Sequence, residues 1–336
     1  IYYILNLTMF SAVLVSALVA SASADYTAPS AQNLKLQFDA FKKDHGRKYR
    51  TMDEEMTKFD AFKANLKTIH ERNVAERKAG GSAAHGITRF ADMTHDDFRS
   101  QYLGYVKGNN ANATVADVKP YQGTDSLVDW TGVYTTPVKD QGYCGSCWAF
   151  AASEQIESDA MRTLGTSFVL SPQQLVECDK TSMGCNGGLQ ERAYSYVQRA
   201  GGIEEESSYP YTSGTDGSSE SCSSDDSKFV LGVNGYTTIK DESDMAAYVK
   251  STGPVSIAID ASTWSTYTGG IMSSCGTEIN HAVQAVGVDD SSSGGYWKVR
   301  NSWSATWGES GFIRLAYGED MCGITYDVTY VDAKTV

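Results

Sequence analysis

Apolar and polar positions along this 336-residue chain recur with helical period in its front half and with strand period toward its end. Residues 31–50 predict a helix anchored by Leu36, Phe38, Phe41 and Tyr49. A longer helix is predicted over 53–78, rich in Glu, Lys and Ala. Within it Glu54, Lys58, Phe62, Asn65, Ile69 and Asn73 stand at intervals of 4, 4, 3, 4 and 4, along one inclined stripe. Asn and charge on such a stripe need hydrogen-bonding partners, so it is not a simple core face. Residues 104–126, rich in Gly, Asn, Ala and Thr, lack periodicity and read as an exposed linker, a preferred place for proteolytic nicking.

Further helices are expected over 147–165, with Gly165 as C-cap, and from Pro172 toward Cys178, with Ser171 as N-cap. Another should span 188–199, stopped by Gly201-Gly202, and one more 244–251. The Ser-, Gly- and acid-rich stretch 213–227 reads as a solvated loop. Strands are expected over 255–260, 282–288, 296–300 and 312–315. Helices first and strands last indicate an α+β protein with two lobes.

Composition and charge narrow the class. Hydrophobic content is 41%, ordinary for a globular protein, and the net charge of −13 argues against nucleic acid as a partner. Residues 1–124 hold 16 Lys+Arg and 13 Asp+Glu, net +3, which leaves −16 for 125–336. A mildly basic front and a strongly acidic back should attract each other. Residues 1–24 are nearly free of charge, with an apolar core at 10–20 and Ala22-Ser-Ala24 as a small-residue cleavage pattern. They read as a signal peptide cut before Asp25, too short and Ser-broken for a stable membrane span. Position 1 is not Met, and Met9 is a candidate start. A secretory route puts the cysteines in an oxidising compartment.

All seven cysteines lie after residue 143, and the odd number leaves at least one thiol without an intramolecular partner. After residue 95 there is a single histidine, His281; the others, at 45, 70, 85 and 95, lie in the front segment. Cys147 opens a predicted helix, where unpaired amides and the dipole favour a thiolate. An imidazolium nearby would stabilise that thiolate and later protonate a leaving amine. The Cys144-x-x-Cys147 spacing also admits a dithiol redox pair or zinc. The first lacks its βαβ context and the second lacks a full ligand set, so no metal and no cofactor is implied.

Gln141-Gly-Tyr-Cys-Gly-Ser-Cys-Trp-Ala-Phe150 carries the Cys-Gly-Ser-Cys-Trp signature. His281 lies 134 residues beyond Cys147, and Asn301, in Asn301-Ser-Trp, lies 154 beyond. The 53–78 stripe resembles the pro-region signature of cathepsin L-like precursors (the ERFNIN type), with Lys58 where Arg is usual. Gly86-Ile-Thr-Arg-Phe-Ala-Asp92 is similar to the element that follows it, with Thr88 at an Asn position. From about residue 33 to its end the chain resembles a papain-family cysteine peptidase precursor.

That resemblance implies a helical inhibitory propeptide over 25–124 and a two-lobed α+β mature domain over 125–336. The lobes would be a helical one and an antiparallel β-barrel-like one, with the active-site cleft between. Val128-Asp-Trp130 resembles a mature start, so cleavage is expected near 123–126. Cys147 would be the nucleophile and His281 its base. Asn301 would orient the ring under Trp303, and Gln141 would be the oxyanion donor with the Cys147 backbone N–H. Ser304 and Thr306 replace the usual glycines near that loop. The family pairing joins Cys144 to Cys185, Cys178 to Cys222 and Cys275 to Cys322.

Gly187 and Gly188 would pair main-chain with an extended substrate. Leu189, Gln190, Ala258, Ile279 and Ala282 would line the main specificity pocket, which receives the second residue upstream of the scissile bond. Asp327 would stand at its base, admitting basic as well as apolar side chains until it protonates.

The implied protein is a monomeric endopeptidase of the secretory pathway, in a lysosome-like acidic compartment or outside the cell. Its partners would be protein and peptide substrates, its own propeptide and cystatin-type inhibitors. Acid would free it by protonating carboxylates that tie the basic pro-region to the acidic mature part. No His-bearing loop of the kind found in dipeptide-trimming exopeptidases is evident. A catalytically silent secreted binding or storage protein is the alternative; retention of Cys147, His281, Asn301 and Gln141 together argues against it.

Overall fold

In the computed structural model, residues 25–108 and 113–336 are described. The expected signal segment and Asn112, part of an Asn-Ala-Thr sequon, lie outside them.

Three helices build the front region: α1 (Ala31–Asp44), α2 (Met52–Lys78) and α3 (His95–Tyr102). Ser30, Thr51 and Thr94 cap them through side-chain oxygens. Phe38, Phe41 and Phe62 pack with Ala91 into a small separate core, whereas Leu36, expected as an anchor, is 62% exposed. The polar members of the α2 stripe find partners. Asn65 donates to the carbonyls of Ala91 and Met93 at 2.9 and 2.7 Å, and Asn73 clamps both backbone groups of His85 at 2.9 Å.

The helices α4 (Cys147–Leu164), α5 (Pro172–Cys178) and α6 (Gln190–Ala200) form one lobe. Gly165 and Gly201 close α4 and α6 in the left-handed conformation at φ 67° and 93°, where a Cβ would be strained. The other lobe is built on a sheet, with α7 (Glu242–Ser251) beside it. In chain order the strands of the described residues are β1 (Ala84–His85), β2 (Leu127–Asp129), β3 (Ile203–Glu204), β4 (Phe229–Ile239) and β5 (Val255–Ile259). Then come β6 (Tyr267–Gly269), β7 (Ile271–Met272), β8 (His281–Asp289), β9 (Tyr296–Arg300), β10 (Phe312–Ala316) and β11 (Asp327–Thr335).

The main sheet runs β3-β4-β11-β5-β8-β9-β10-β7, with β2 also on β8, while β1 of the front region pairs with β6. This corrects the barrel-like expectation. Among the described residues the sheet is open, and β7 runs parallel to β10 at one edge. Two long strands, β4 and β11, were not expected from the sequence pattern.

The two lobes have separate apolar cores, joined by polar bonds along α4. Residues 147–160 of α4 are all buried although six of them are the polar Ser153, Glu154, Gln155, Glu157, Ser158 and Asp159. Arg300 pairs with Glu154 at 3.3 Å and donates to Gln284 at 2.8 Å; Gln284 donates to Ser158 at 2.9 Å. Lys139 meets Glu157 at 2.5 Å. Buried networks of this kind hold a helix in one register, although Glu154 Oε1 and Arg300 Nε keep no hydrogen bond. Three disulfides, Cys144–Cys185, Cys178–Cys222 and Cys275–Cys322, close loops of 41, 44 and 47 residues. On the chain-entropy picture each contributes about 4 kcal/mol.

The stretch read as linker is partly docked. Gly104 and Tyr105 are buried, and Ala116 and Thr114 bond to Thr238 beside β4.

Candidate active site

Cys147 is the first residue of α4, and the Ser146 side chain leaves the helix N-terminus uncapped. With the other six cysteines bonded, it is the free thiol among the described residues, and it is fully buried. Burial pushes the thiol up to about 11, only partly offset by backbone N–H groups of Ala282, Gly104, Trp148 and Cys147 itself. Here the cysteine is therefore protonated at neutral pH, unlike the depressed thiol its helix position suggests. The raising cause is burial under the front segment around Gly104 and Tyr105; the N–H of Gly104 itself favours the thiolate.

His281 opens β8. Its Nε2 lies 2.8 Å from Oδ1 of Asn301, which follows β9. The Ser302 backbone N–H also donates to that oxygen at 2.8 Å, fixing which way the carboxamide points. Oδ1 can only accept, so Nε2 carries the ring proton. Nδ1 then bears the lone pair, and it has no hydrogen-bond partner. Burial pulls His281 down to about 4, with the Asn301 bond a smaller opposing effect. Trp303 covers the ring, with centroids 4.8 Å apart.

Gln141 is held as firmly. Its Oε1 accepts from Ser302 Oγ at 2.7 Å and Trp303 Nε1 at 3.1 Å, which turns Nε2 the other way. Nε2 donates to the carbonyls of Cys144 at 2.9 Å and Tyr102 at 3.1 Å. Trp303 thus touches both His281 and Gln141, a double role that Asn-Ser-Trp alone does not reveal.

Beyond α3, residues 103–106 cross the cleft, with a single parallel bridge between Tyr105 and Gly188. Gly188 donates to Gly104 O and accepts from Val106 N, both at 2.9 Å, and Tyr105 N donates to Asn280 O at 3.0 Å. Gly187 does not join this pairing; its N–H and carbonyl bond within its own turn, to Gly184 and Met183. Tyr105 fills the expected pocket, packing with Leu189, Ala258, Ile279 and Ala282 beside Cys147. Its phenol donates to Asp327 Oδ2 at 2.6 Å, and Gln190 Nε2 lies 3.3 Å from the same oxygen. Tyr102, Gly104 and Tyr105 were hidden within or beside a stretch that looks like linker. Their signal was two large aromatics flanking a glycine just after a helix.

The front region is anchored beyond the cleft as well. Phe90 and Phe98 pack edge-on against Trp303 at 5.2 and 5.3 Å. The half-buried Arg72 donates to Thr266 Oγ1 at 2.7 Å and Ser265 Oγ at 3.1 Å. The Glu76 carboxylate accepts from the N–H groups of Ser273 and Ser274 at 3.0 Å. His85 Nδ1 lies 2.9 Å from Thr266 Oγ1. Ion pairs across the boundary are peripheral: Arg89 with Asp140 at 2.6 Å, and Arg99 with Glu278. Aromatic packing and buried hydrogen bonds hold the region more than charge asymmetry does. Among the described residues no helix is long and apolar enough to cross a membrane, and no group of three or more His, Cys, Asp or Glu could hold a metal ion.

Comparison with known proteins places this arrangement. The "Papain family cysteine protease" profile matches residues 124–332, and the "Cathepsin propeptide inhibitor domain (I29)" profile matches 38–98. The chain is 36% identical to "Probable cysteine protease RD19B" of Arabidopsis thaliana, over 93% of this chain and 90% of that protein. It is 38% identical to "Cysteine proteinase A" of Leishmania mexicana, over 85% and 82%. A digestive procathepsin L2 proteinase from Tenebrio molitor larval midgut superposes with a TM-score of 0.81 at 30% identity, covering 89% of this chain and 99% of that one. A recombinant stem bromelain precursor gives 0.76 at 32%, covering 89% and 99%.

Proposed function

This chain belongs to the papain family of cysteine proteases and carries a propeptide inhibitor domain, and from that premise we propose roles for its site residues. Cys147 attacks the scissile carbonyl and His281 takes up and returns the proton. Asn301 holds the ring's tautomer, and Gln141 Nε2 with the Cys147 backbone N–H receives the oxyanion. The C–N bond breaks as His281 protonates the leaving amine, which leaves a thioester acyl-enzyme; water activated by His281 then hydrolyses it, releasing the acid and the Cys147 sulfur.

The observation that carries this reading is a peptide already seated across the cleft. The Tyr102 carbonyl lies on Gln141 Nε2 while Gly104 covers the Cys147 sulfur. In that state burial holds both partners neutral. Removal of residues 25–124, by cleavage near 123–126, would restore solvent, let the helix N-terminus act on the thiolate, and leave Nδ1 of His281 to face it.

Gly188 would then pair with substrate as it now pairs with the pro-segment. The pocket would accept apolar side chains and, through Asp327, basic ones. The protein would act as a monomeric endopeptidase in an acidic lysosome-like or extracellular setting, open to cystatin-type inhibitors. Labelling of the mature protein by a thiol-directed epoxide, with peptide hydrolysis lost in Cys147→Ser, tests the reading. Hydrolysis that persists in that variant would refute it.

A further inference from the structure

We propose that the specificity pocket of this enzyme is built to select a phenol, so that tyrosine is preferred over phenylalanine two residues upstream of the scissile bond. The inference rests on the peptidase reading above and goes beyond it, because it derives from what the pocket holds now. Tyr105 enters between Leu189, Ala258, Ile279 and Ala282 and ends with Oη 2.6 Å from Asp327 Oδ2. With Tyr105 in the pocket Asp327 is only 4% exposed, so the seated phenol shields it from bulk water. Burial first, and the facing carboxylate second, push the Tyr105 phenol well above its ordinary range; Oη stays protonated and donates.

Pocket walls and pocket end thus have different requirements. The walls are apolar and accept any large side chain, which discriminates weakly. The end is a carboxyl group that gains a hydrogen bond from a phenol and loses it when phenylalanine is bound. Asp327 keeps Gln190 in either case, so the discrimination is the phenol's own bond, and hydrogen bonds to carboxylates are the stronger kind. Gln190 Nε2, at 3.3 Å, supports the same oxygen and orients it toward the incoming side chain. A phenylalanine reaches the walls equally well but stops short of Oδ2.

The test compares two peptides that differ only in Tyr or Phe at that position, using acid-matured enzyme. The kcat/KM ratio is expected to favour Tyr about tenfold, from the typical strength of such a bond, and to fall to about one in Asp327→Ala. A ratio measured on one sample does not depend on the fraction of correctly folded enzyme. In the full-length proenzyme, Tyr105→Phe should also speed alkylation of Cys147, because the same bond helps seat the pro-segment. A wild-type ratio of one or less, or an unchanged ratio in Asp327→Ala, would overturn the inference while leaving the peptidase reading intact. Hydrolysis of neither peptide by protein whose Cys147 is fully alkylatable would defeat both.

Discussion

The side-chain amide of Gln141 donates to the backbone carbonyl of Tyr102 at 3.1 Å, so the pro-segment occupies the donor proposed for the oxyanion. Trp303 and Ser302 hold the other end of that amide. Gln141→Ala in the mature enzyme should therefore lower kcat by roughly 10²–10³, the usual cost of one preorganised donor. Trp303→Phe removes the orienting N–H together with part of the ring over His281 while leaving Gln141 itself in place, so it should lower kcat through positioning. Steady-state kinetics, alongside alkylation rates of Cys147 that change only a few-fold, would separate a lost donor from a damaged nucleophile.

Gly104 passes so close to Gly145 that a Cβ there would fall inside the carbonyl of the latter. Backbone cannot move aside as a flexible side chain can. The proenzyme Gly104→Ala should fail to seat residues 102–106 over the sulfur while its remote anchors at Arg72 and Glu76 remain. Measurable peptidase activity at neutral pH before any processing is the expected result. A fully latent variant would show that the close approach is not what blocks the site.

Burial holds Cys147 at about 11 and His281 at about 4 in the proenzyme. At pH 7 the thiolate fraction is then about 10⁻⁴, and alkylation by iodoacetamide should rise about tenfold per pH unit toward 11. The mature enzyme, with the pro-segment gone, should react rapidly at mildly acid pH. Stopped-flow alkylation of both forms between pH 5 and 10 checks this; superimposable profiles would contradict it.

Local chemistry made part of this molecule legible. Ser171-Pro172 opened a helix, and Gly165 and Gly201 closed others, because caps and left-handed residues act within one turn. The Cys-Gly-Ser-Cys-Trp motif, the single histidine after residue 95 and the family resemblance brought Cys147, His281, Asn301 and Gln141 forward. Strand β4 escaped because Gly232, Asn234 and Gly235 interrupt its apolar alternation, and its stability comes from pairing with β11, nearly a hundred residues away. Tyr105 escaped because nothing near it in sequence says what it touches; its partner Asp327 is 222 residues distant. The charge asymmetry was legible but pointed to the wrong force. Arg72, Glu76, Phe90 and Phe98 dock the pro-region by buried hydrogen bonds and ring packing.

That shift of forces changes which group should respond to acid. Glu278, held below its ordinary range by Arg99, would lose its contribution only as pH falls through that lowered value. Glu76 is raised by burial, so docking favours its protonated form and acid does not release it. His85 behaves oppositely. Thr266 Oγ1 accepts from Arg72 and lies 2.9 Å from His85 Nδ1, so a protonated His85 ring would stand close to that guanidinium. Burial first, then Arg72, pulls His85 down from 6.5 to about 4. A docked pKa below the free one means the contribution is intact above pH 6.5 and is lost as pH falls toward 4. The full loss is about 3 kcal/mol. Maturation of the wild-type proenzyme should accelerate across that window by up to tenfold per pH unit, and His85→Gln, which keeps a partner for Thr266 without titrating, should flatten the profile. Gel time courses from pH 4 to 7.5 would decide it, because identical profiles for the two proteins would move the acid response to another group.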